Sequence, residues 1–215
     1  TWEKKIGLRT MTVNTEKDEW GNCFAHEVNG LKIFAMGADY IPEDNLLGRV
    51  NKERTRKLLT DCKEANYNTV RIWGGGYYPD DFFYDICDEL GLLIWQDFMF
   101  ACASYELDEA FDKNIREEVR QNVRRLRHHA SIGLWCGNNE CQDVYYGWGG
   151  RQKYYKEKGV EELTTKQFKD MYFRCLPEVV KQYGGGISYR PSSPFAFEDT
   201  ASDGVNGDSH YWGVW

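Results

Sequence analysis

The chain has 215 residues, enough for one sizeable domain with a real core. A formal net charge of −7 argues against a nucleic-acid backbone as partner. The longest apolar runs, such as Leu92-Leu93-Ile94-Trp95, fall well short of the roughly 20 residues that a membrane-spanning helix needs, so no membrane span is expected.

Residues 1–32 read as β-structure, with Asn29-Gly30 as the pair of a two-residue hairpin turn. From there strand and helix alternate. Residues 33–38 read as a short buried strand. Residues 49–65 are predicted helical, with Val50, Leu58, Leu59, Cys62 and Ala65 on one side. Residues 69–73 form the second strand, ending in Gly74-Gly75-Gly76. A helix over 79–90 has Pro79 in its first turn and Gly91 just past its end. Residues 92–95 are the third strand and lead into Gln96-Asp97-Phe98. Residues 108–129 form a long helix, with Phe111, Ile115, Val119, Val123 and Leu126 at three- and four-residue intervals. Residues 132–136 are the fourth strand.

Residues 141–165, rich in Tyr and Trp, read as a long loop, of the kind that is usually functional or disordered. The next helix carries Phe168, Met171, Tyr172 and Cys175, and Pro177 is expected to break it and start a shorter one. Residues 187–190 read as a fifth strand and 210–215 as part or all of a sixth.

Seven cysteines show no Cys-x-x-Cys pair and no Cys/His spacing that fits zinc, so no metal and no cofactor are expected. Most read as small buried hydrophobes, with one disulfide, for instance through Cys23, left open. The chain starts at Thr1 without a signal peptide. It reads as cut from something longer, with any targeting signal upstream and an extracytoplasmic compartment as the expectation.

Alternation at this rhythm implies parallel strands with helical crossovers. No Gly-x-Gly-x-x-Gly follows the first strand, so a dinucleotide site is not supported. Residues able to do chemistry follow several different strands: Asp39, Trp73, Asp97, Asn138, Asn139, Glu140 and Trp212. That distribution suits an α/β fold of the (β/α)8 TIM-barrel type, whose sites gather at the C-terminal strand ends. Five to six strands are present against eight, so the expectation is a partial barrel over 33–215, with a short β lead-in over 1–32 that ends a preceding β-sandwich domain.

The run Cys136-Gly137-Asn138-Asn139-Glu140 delivers a carboxyl and two amides to a strand tip. Carboxyls serve as acid, base and nucleophile in glycoside hydrolysis. Amides bind hydroxyls without adding charge, and the 15% aromatic content offers either a stacking surface for sugar or a generously packed core. The alternative for the run itself is that Asn-Asn-Glu merely caps the next helix.

Four segments occur in order: Gly37-Ala38-Asp39-Tyr40-Ile41-Pro42, Arg71-Ile72-Trp73-Gly74-Gly75-Gly76, Trp95-Gln96-Asp97-Phe98-Met99-Phe100-Ala101, and Trp135-Cys136-Gly137-Asn138-Asn139-Glu140. Together with Gly207-Asp208-Ser209-His210-Tyr211-Trp212-Gly213-Val214-Trp215, they resemble the catalytic barrel of β-mannosidases in glycoside hydrolase family 2. The resemblance implies retaining hydrolysis of terminal, non-reducing β-mannosides, with a β-mannoside oligosaccharide or glycan as partner. It implies Glu140 as general acid/base and Asn139 as the partner of the sugar 2-hydroxyl. Trp73, Asp97, Asp39, His210 and Trp212 are candidate substrate contacts. Arg71 would keep a nucleophile ionised or form a structural ion pair, and Asn138 would hold the loop or Glu140.

The family's nucleophile is a second Glu, which nothing in this chain matches; Glu106 and Glu198 sit in other contexts. The fragment is therefore expected to be inactive, and to self-associate through unclosed sheet edges. Burial beside Trp135 and the charge of the nucleophile are expected to raise the Glu140 pKa. Two readings compete with this one: a non-catalytic carbohydrate-binding fragment, and a family 2 hydrolase for a galactoside or glucuronide.

Overall fold

In the computed structural model, which describes every residue except 2, 4, 149, 150 and 215, the chain is a mixed α/β structure built on two sheets. The first is antiparallel, in the order β1 (Met11–Asn14), β2 (Ala25–Val28), β3 (Leu31–Ile33). Asn29 and Gly30 join β2 to β3 with φ of 53° and 78°, the left-handed values that a type I′ turn requires. The Arg9 guanidinium ties this lead-in to the second sheet by donating to the carbonyls of Ala130 and Ile132, at 3.0 and 2.9 Å.

The second sheet has five parallel strands in sequence order: β4 (Gly37–Tyr40), β5 (Thr69–Ile72), β6 (Leu93–Asp97), β7 (Ile132–Cys136) and β8 (Tyr189–Arg190). The crossovers are α1 (Lys52–Glu64), α2 (Asp81–Leu90) and α3 (Glu109–Leu126). Between β7 and β8 lie α4 (Cys141–Tyr146), α5 (Arg151–Glu157), α6 (Glu161–Lys169) and α7 (Leu176–Tyr183). Local signals set these ends. Asn51 and Asp108 cap α1 and α3 by accepting from the N–H groups of Arg54 and Phe111. Gly91 ends α2 at φ 67°, where a Cβ would be strained.

Strand pleating sorts the side chains. Val70, Ile72, Ile94 and Gln96 are buried on one face, where Tyr84 of α2 donates to the Gln96 side chain at 2.7 Å. Asp39, Arg71 and Trp95 are register partners across β4, β5 and β6, so they form a row on the opposite face. Because all five strands run the same way, their C-terminal ends share one edge of the sheet.

Several expectations need correction. The strand expected over 33–38 is split: Ile33 closes the hairpin sheet, Phe34 and Met36 are exposed, and β4 starts at Gly37. As an edge strand, β4 is covered on one side only. Its helix α1 accordingly buries just Thr55 and Leu59.

The segment 141–165 is not a long loop: it holds α4, α5 and the start of α6, joined by short turns at 147–148 and 158–160, with residues 149 and 150 outside the described set. Its aromatics pack on one another: Tyr145 stacks on Phe168 at 5.2 Å and on Tyr155 at 5.9 Å. Pro177 does not break the chain's path. A π-helical turn, Asp170–Cys175, carries α6 into α7, with the Leu176 N–H reaching back to the Met171 carbonyl, and Pro177, which has no N–H to offer, sits in the first turn of α7. Residues 210–214 form no strand, and Trp215, the end of the expected sixth strand, is outside the described set.

All seven cysteines are free, and Cys87, Cys136, Cys141 and Cys175 are buried. Among the described residues no helix is long and apolar enough to cross a membrane.

Candidate active site

At the C-terminal edge of the parallel sheet lies an open cavity of about 780 Å³. Asp39, Arg71, Trp73, Trp95, Asn139, Glu140, His210 and Trp212 line it, together with Cys102. Seven of the nine residues singled out from the sequence, Arg71 among them, therefore reach one cavity from four separate stretches of chain.

The bend after β7 builds the floor. Asn138 is fully buried and is used for structure. Its Oδ1 accepts from the Cys141 N–H (2.9 Å) and the Ser192 hydroxyl (2.8 Å), and its Nδ2 donates to the Pro191 carbonyl (2.9 Å). These bonds cap α4 and fix the turn in which Glu140 takes a left-handed φ of 60°, a conformation that costs a non-glycine residue about 1–2 kcal/mol. Asn139 is held at both ends of its amide. Arg71 Nη2 donates to its Oδ1 at 3.0 Å, and its Nδ2 donates to Cys102 Sγ at 3.3 Å.

The Glu140 carboxyl is buried, and each oxygen has a donor. His210 Nδ1 lies 2.6 Å from Oε1, and the Cys102 thiol donates to Oε2 at 3.3 Å. Arg71 fixes the tautomer of His210. Its Nη1 lies 3.2 Å from His210 Nε2 and can only donate, so Nε2 accepts and the proton sits on Nδ1, facing Glu140. Burial, the largest influence, pushes the Glu140 pKa up. The hydrogen bonds from His210 and Cys102 and the charge of Arg71 outweigh it, so the carboxyl lies below its ordinary value. This corrects the expected rise: the donors favour the ionised form, and Trp135 lies behind the strand, stacked on Phe98 at 5.8 Å.

Asp97 also departs from expectation. It is fully buried behind the cavity and accepts four hydrogen bonds: from Arg71 Nε (3.2 Å) and Nη2 (2.8 Å), the Gly74 N–H (3.0 Å) and Trp95 Nε1 (3.0 Å). Buried and with both oxygens already bonded, it supports Arg71 and presents no surface to the cavity. Burial pulls the Arg71 pKa down, but Asp97 more than compensates, so the guanidinium stays charged. Its carbon lies 5.1 Å from the Trp95 ring centroid and one nitrogen lies 3.9 Å from Asp39.

Trp73 lies over Gly75, where a Cβ would overlap its ring, so the glycine lets the indole lie flat at the cavity wall. Trp212 is largely exposed at the rim. His128 and His129 are far along the chain at the end of α3, where His129 Nδ1 pairs with Asp88 at 2.7 Å and takes no part in the cavity.

The sequence reading missed Cys102, Trp95, Ser193 and Asp208. Asp208 accepts from the Ser193 hydroxyl (2.7 Å) and the Phe195 N–H (3.2 Å) and so pins the segment that carries His210. Ser193 Oγ, 3.1 Å from His210 Nε2, completes a Ser–His–Glu string, but it is buried and committed to Asp208, so it is no nucleophile. Trp95 and Asp208 lie inside stretches already singled out and Cys102 directly follows one, whereas Ser193 offered no such signal.

No protein-family model matches the chain. It is 44% identical to Beta-mannosidase B of Aspergillus fumigatus over 99% of its own length, and 41% identical to that of Aspergillus niger over the same share. The chain spans about a quarter of the length of these relatives, 25% in each case. The solved β-D-mannosidase of Dictyoglomus thermophilum superposes with a TM-score of 0.86 at 42% identity, over 98% of this chain and 24% of that one. The exo-chitosanase of Amycolatopsis orientalis, at 19% identity and TM-score 0.65 over 95% of this chain and 21% of that one, shares the fold alone.

Proposed function

We propose that this chain, homologous to β-mannosidases across nearly all of its own length, is the first part of a (β/α)8 barrel that hydrolyses terminal, non-reducing β-mannosides with retention of configuration. The observation that carries this reading is Glu140, a buried carboxyl at the C-terminal edge of a parallel sheet, facing a cavity walled by Trp73 and Trp212. The strand order supports the barrel. Five parallel strands lie in sequence order, and crossovers of the usual right hand would then put every helix on one face, whereas a doubly wound sheet reverses its order part-way. Residues 1–32 are then the end of a preceding domain and 33–215 the barrel portion.

In this reading Glu140 protonates the leaving oxygen and later activates water. Asn139, oriented by Arg71 and Cys102, meets the axial 2-hydroxyl. Trp73 and Trp212 stack on the pyranose, Asp39 takes a hydroxyl, and His210 stands between Glu140 and Arg71. Retention needs a second carboxylate about 5–5.5 Å from the first. The other carboxyl on the cavity wall is Asp39, which is half-exposed beside Arg71. We assign the nucleophile to a part of the parent protein outside these 215 residues. Its negative charge beside Glu140 would raise that pKa and load the proton that the isolated chain does not hold.

The parent protein tests the acid role. Glu140→Gln should slow hydrolysis strongly for poor leaving groups and least for dinitrophenyl β-mannoside, which needs no protonation. Equal slowing across leaving groups would remove Glu140 from the role. The 215-residue chain itself should turn over no aryl β-mannoside; measurable release of aryl alcohol would overturn the assignment of the nucleophile. Binding without turnover in the parent would favour a carbohydrate-binding protein instead.

A further inference from the structure

We infer that Cys102 is a positioning residue of this site: its thiol joins the Glu140 carboxylate to the Asn139 amide and sets the two groups at a fixed separation and orientation. The inference rests on the reading of Glu140 as acid/base and of Asn139 as sugar-binding amide.

The geometry is reciprocal. Cys102 Sγ donates its proton to Glu140 Oε2 at 3.3 Å and accepts from Asn139 Nδ2 at 3.3 Å. A thiol can do both at once, and a methyl can do neither. The backbone reinforces the placement. The Cys102 N–H donates to the Asn139 carbonyl (2.9 Å), and the Asn139 N–H to the Phe100 carbonyl (2.9 Å), so residues 100–102 extend β6 alongside the 138–140 bend. Cys102 holds a left-handed φ of 50°, next to Glu140 at 60°. Two strained non-glycine residues facing each other across one thiol–carboxylate bond mark a place where the structure over-determines the backbone.

The other cysteines differ. Cys87, Cys136, Cys141 and Cys175 are buried, whereas Cys102 is exposed at the cavity wall with room for a ligand beside it. Without Cys102, Oε2 of Glu140 would lose its donor and the Asn139 amide would be held by Arg71 alone.

The charged and titratable groups facing this pair are few. Glu140 meets His210 on Oε1, Cys102 on Oε2 and the charge of Arg71. Cys102 meets Glu140 and Arg71, and also lies near the Tyr105 hydroxyl and the Cys141 thiol. Burial, followed by the bond and the negative charge from Glu140, holds its thiol above the usual range, against the bond from Asn139 and the Arg71 charge. The pair is therefore coupled: the thiol keeps the carboxyl ionised, and the carboxyl keeps the thiol protonated.

The test uses the pH dependence of iodoacetamide alkylation on the 215-residue chain, resolved by peptide mass spectrometry. In the wild type, Cys102 should be modified with a midpoint above the ordinary thiol value of about 8.5. In Glu140→Gln the midpoint should fall toward that value while that of Cys62, raised by burial and Asp61 and not by Glu140, stays put. Protection of Cys87 and Cys136 confirms that the variant is folded. An unchanged Cys102 midpoint would overturn the inference. Should Glu140→Gln fail to fold, Cys102→Ala provides the second route: the Glu140 carboxyl, followed by carbon NMR, must titrate at higher pH than in the wild type, and no shift sinks the proposal.

These readouts need no turnover, so they succeed or fail independently of the hydrolase reading. In the active parent, Cys102→Ala should raise KM through the loosened Asn139 and move the basic limb of kcat/KM upward, with Cys102→Ser restoring both in part. A fall in kcat alone, with KM and the pH profile unmoved, would mean that Cys102 plays a merely structural part.

Discussion

Replacing Asp97 with Ala should be among the most damaging single changes in the chain. Asp97 is fully buried and receives two bonds from Arg71, one from the Gly74 N–H and one from Trp95 Nε1. Its removal strands a guanidinium whose side chain is only 11% exposed and whose remaining carboxylate, Asp39, lies 3.9 Å away. Breaking a buried ion pair from one side costs about 3–5 kcal/mol. Each orphaned N–H adds about 1–3 kcal/mol before water fills the space left by the carboxylate, so the terms do not sum. About 4 kcal/mol is the expected loss, a large part of the roughly 5–15 kcal/mol that holds a domain together.

Urea unfolding followed by tryptophan fluorescence measures this. With an m-value of about 2–3 kcal/mol/M, the midpoint should drop by about 1.5–2 M. The companion is Asp97→Leu with Arg71→Met, which removes both charges and should cost less than Asp97→Ala alone, because no charge is left unpaired. A midpoint shift below about 0.5 M for Asp97→Ala, or a double variant worse than the single one, would refute the reasoning.

Two further outcomes follow from the same geometry. The Glu140 carboxyl lies below its ordinary value, so its stabilising contribution is present above about pH 4.3, the unfolded value, and is lost as pH falls through the lower folded value. His210→Ala removes the strongest opponent of burial. Carbon NMR should then show Glu140 titrating higher, and the stability lost on acidifying below about pH 4.3 should shrink; an unmoved titration would show that His210 does not hold the carboxylate. β4 is an edge strand with Phe34, Met36 and Ile41 exposed around it, so the 215-residue chain should self-associate with rising concentration. A single monomeric boundary in sedimentation velocity at every loading would refute that.

Much of the site was legible in one dimension because parallel strands carry their chemistry at their ends. A short apolar run followed by Gly and a polar cluster marks a strand tip, so Trp73, Asn138, Asn139 and Glu140 could be read off without knowing the neighbours. Helix α2 announced itself by Pro79 and Gly91, and α1 and α3 by their apolar spacing, while the caps Asn51 and Asp108 emerged only in the fold. The helices between 141 and 169 did not. Tyr145 and Tyr155 give no clean period, and their helices are held by the stacking of Tyr145 on both Tyr155 and Phe168, contacts that only the folded chain supplies.

The sequence alone determined which groups could do chemistry and that they would gather at one edge of a sheet, since strand direction and crossover hand follow from local pattern. Tertiary structure decided what each group does there. Cys102 and His210 lie 38 and 70 residues from Glu140, and their donors outweigh the burial that would otherwise raise its pKa, leaving it below its ordinary value. Asp97 became a support for Arg71 for the same reason. A protonation state depends on what stands within about 3 Å in space, and no spacing along the chain encodes that distance.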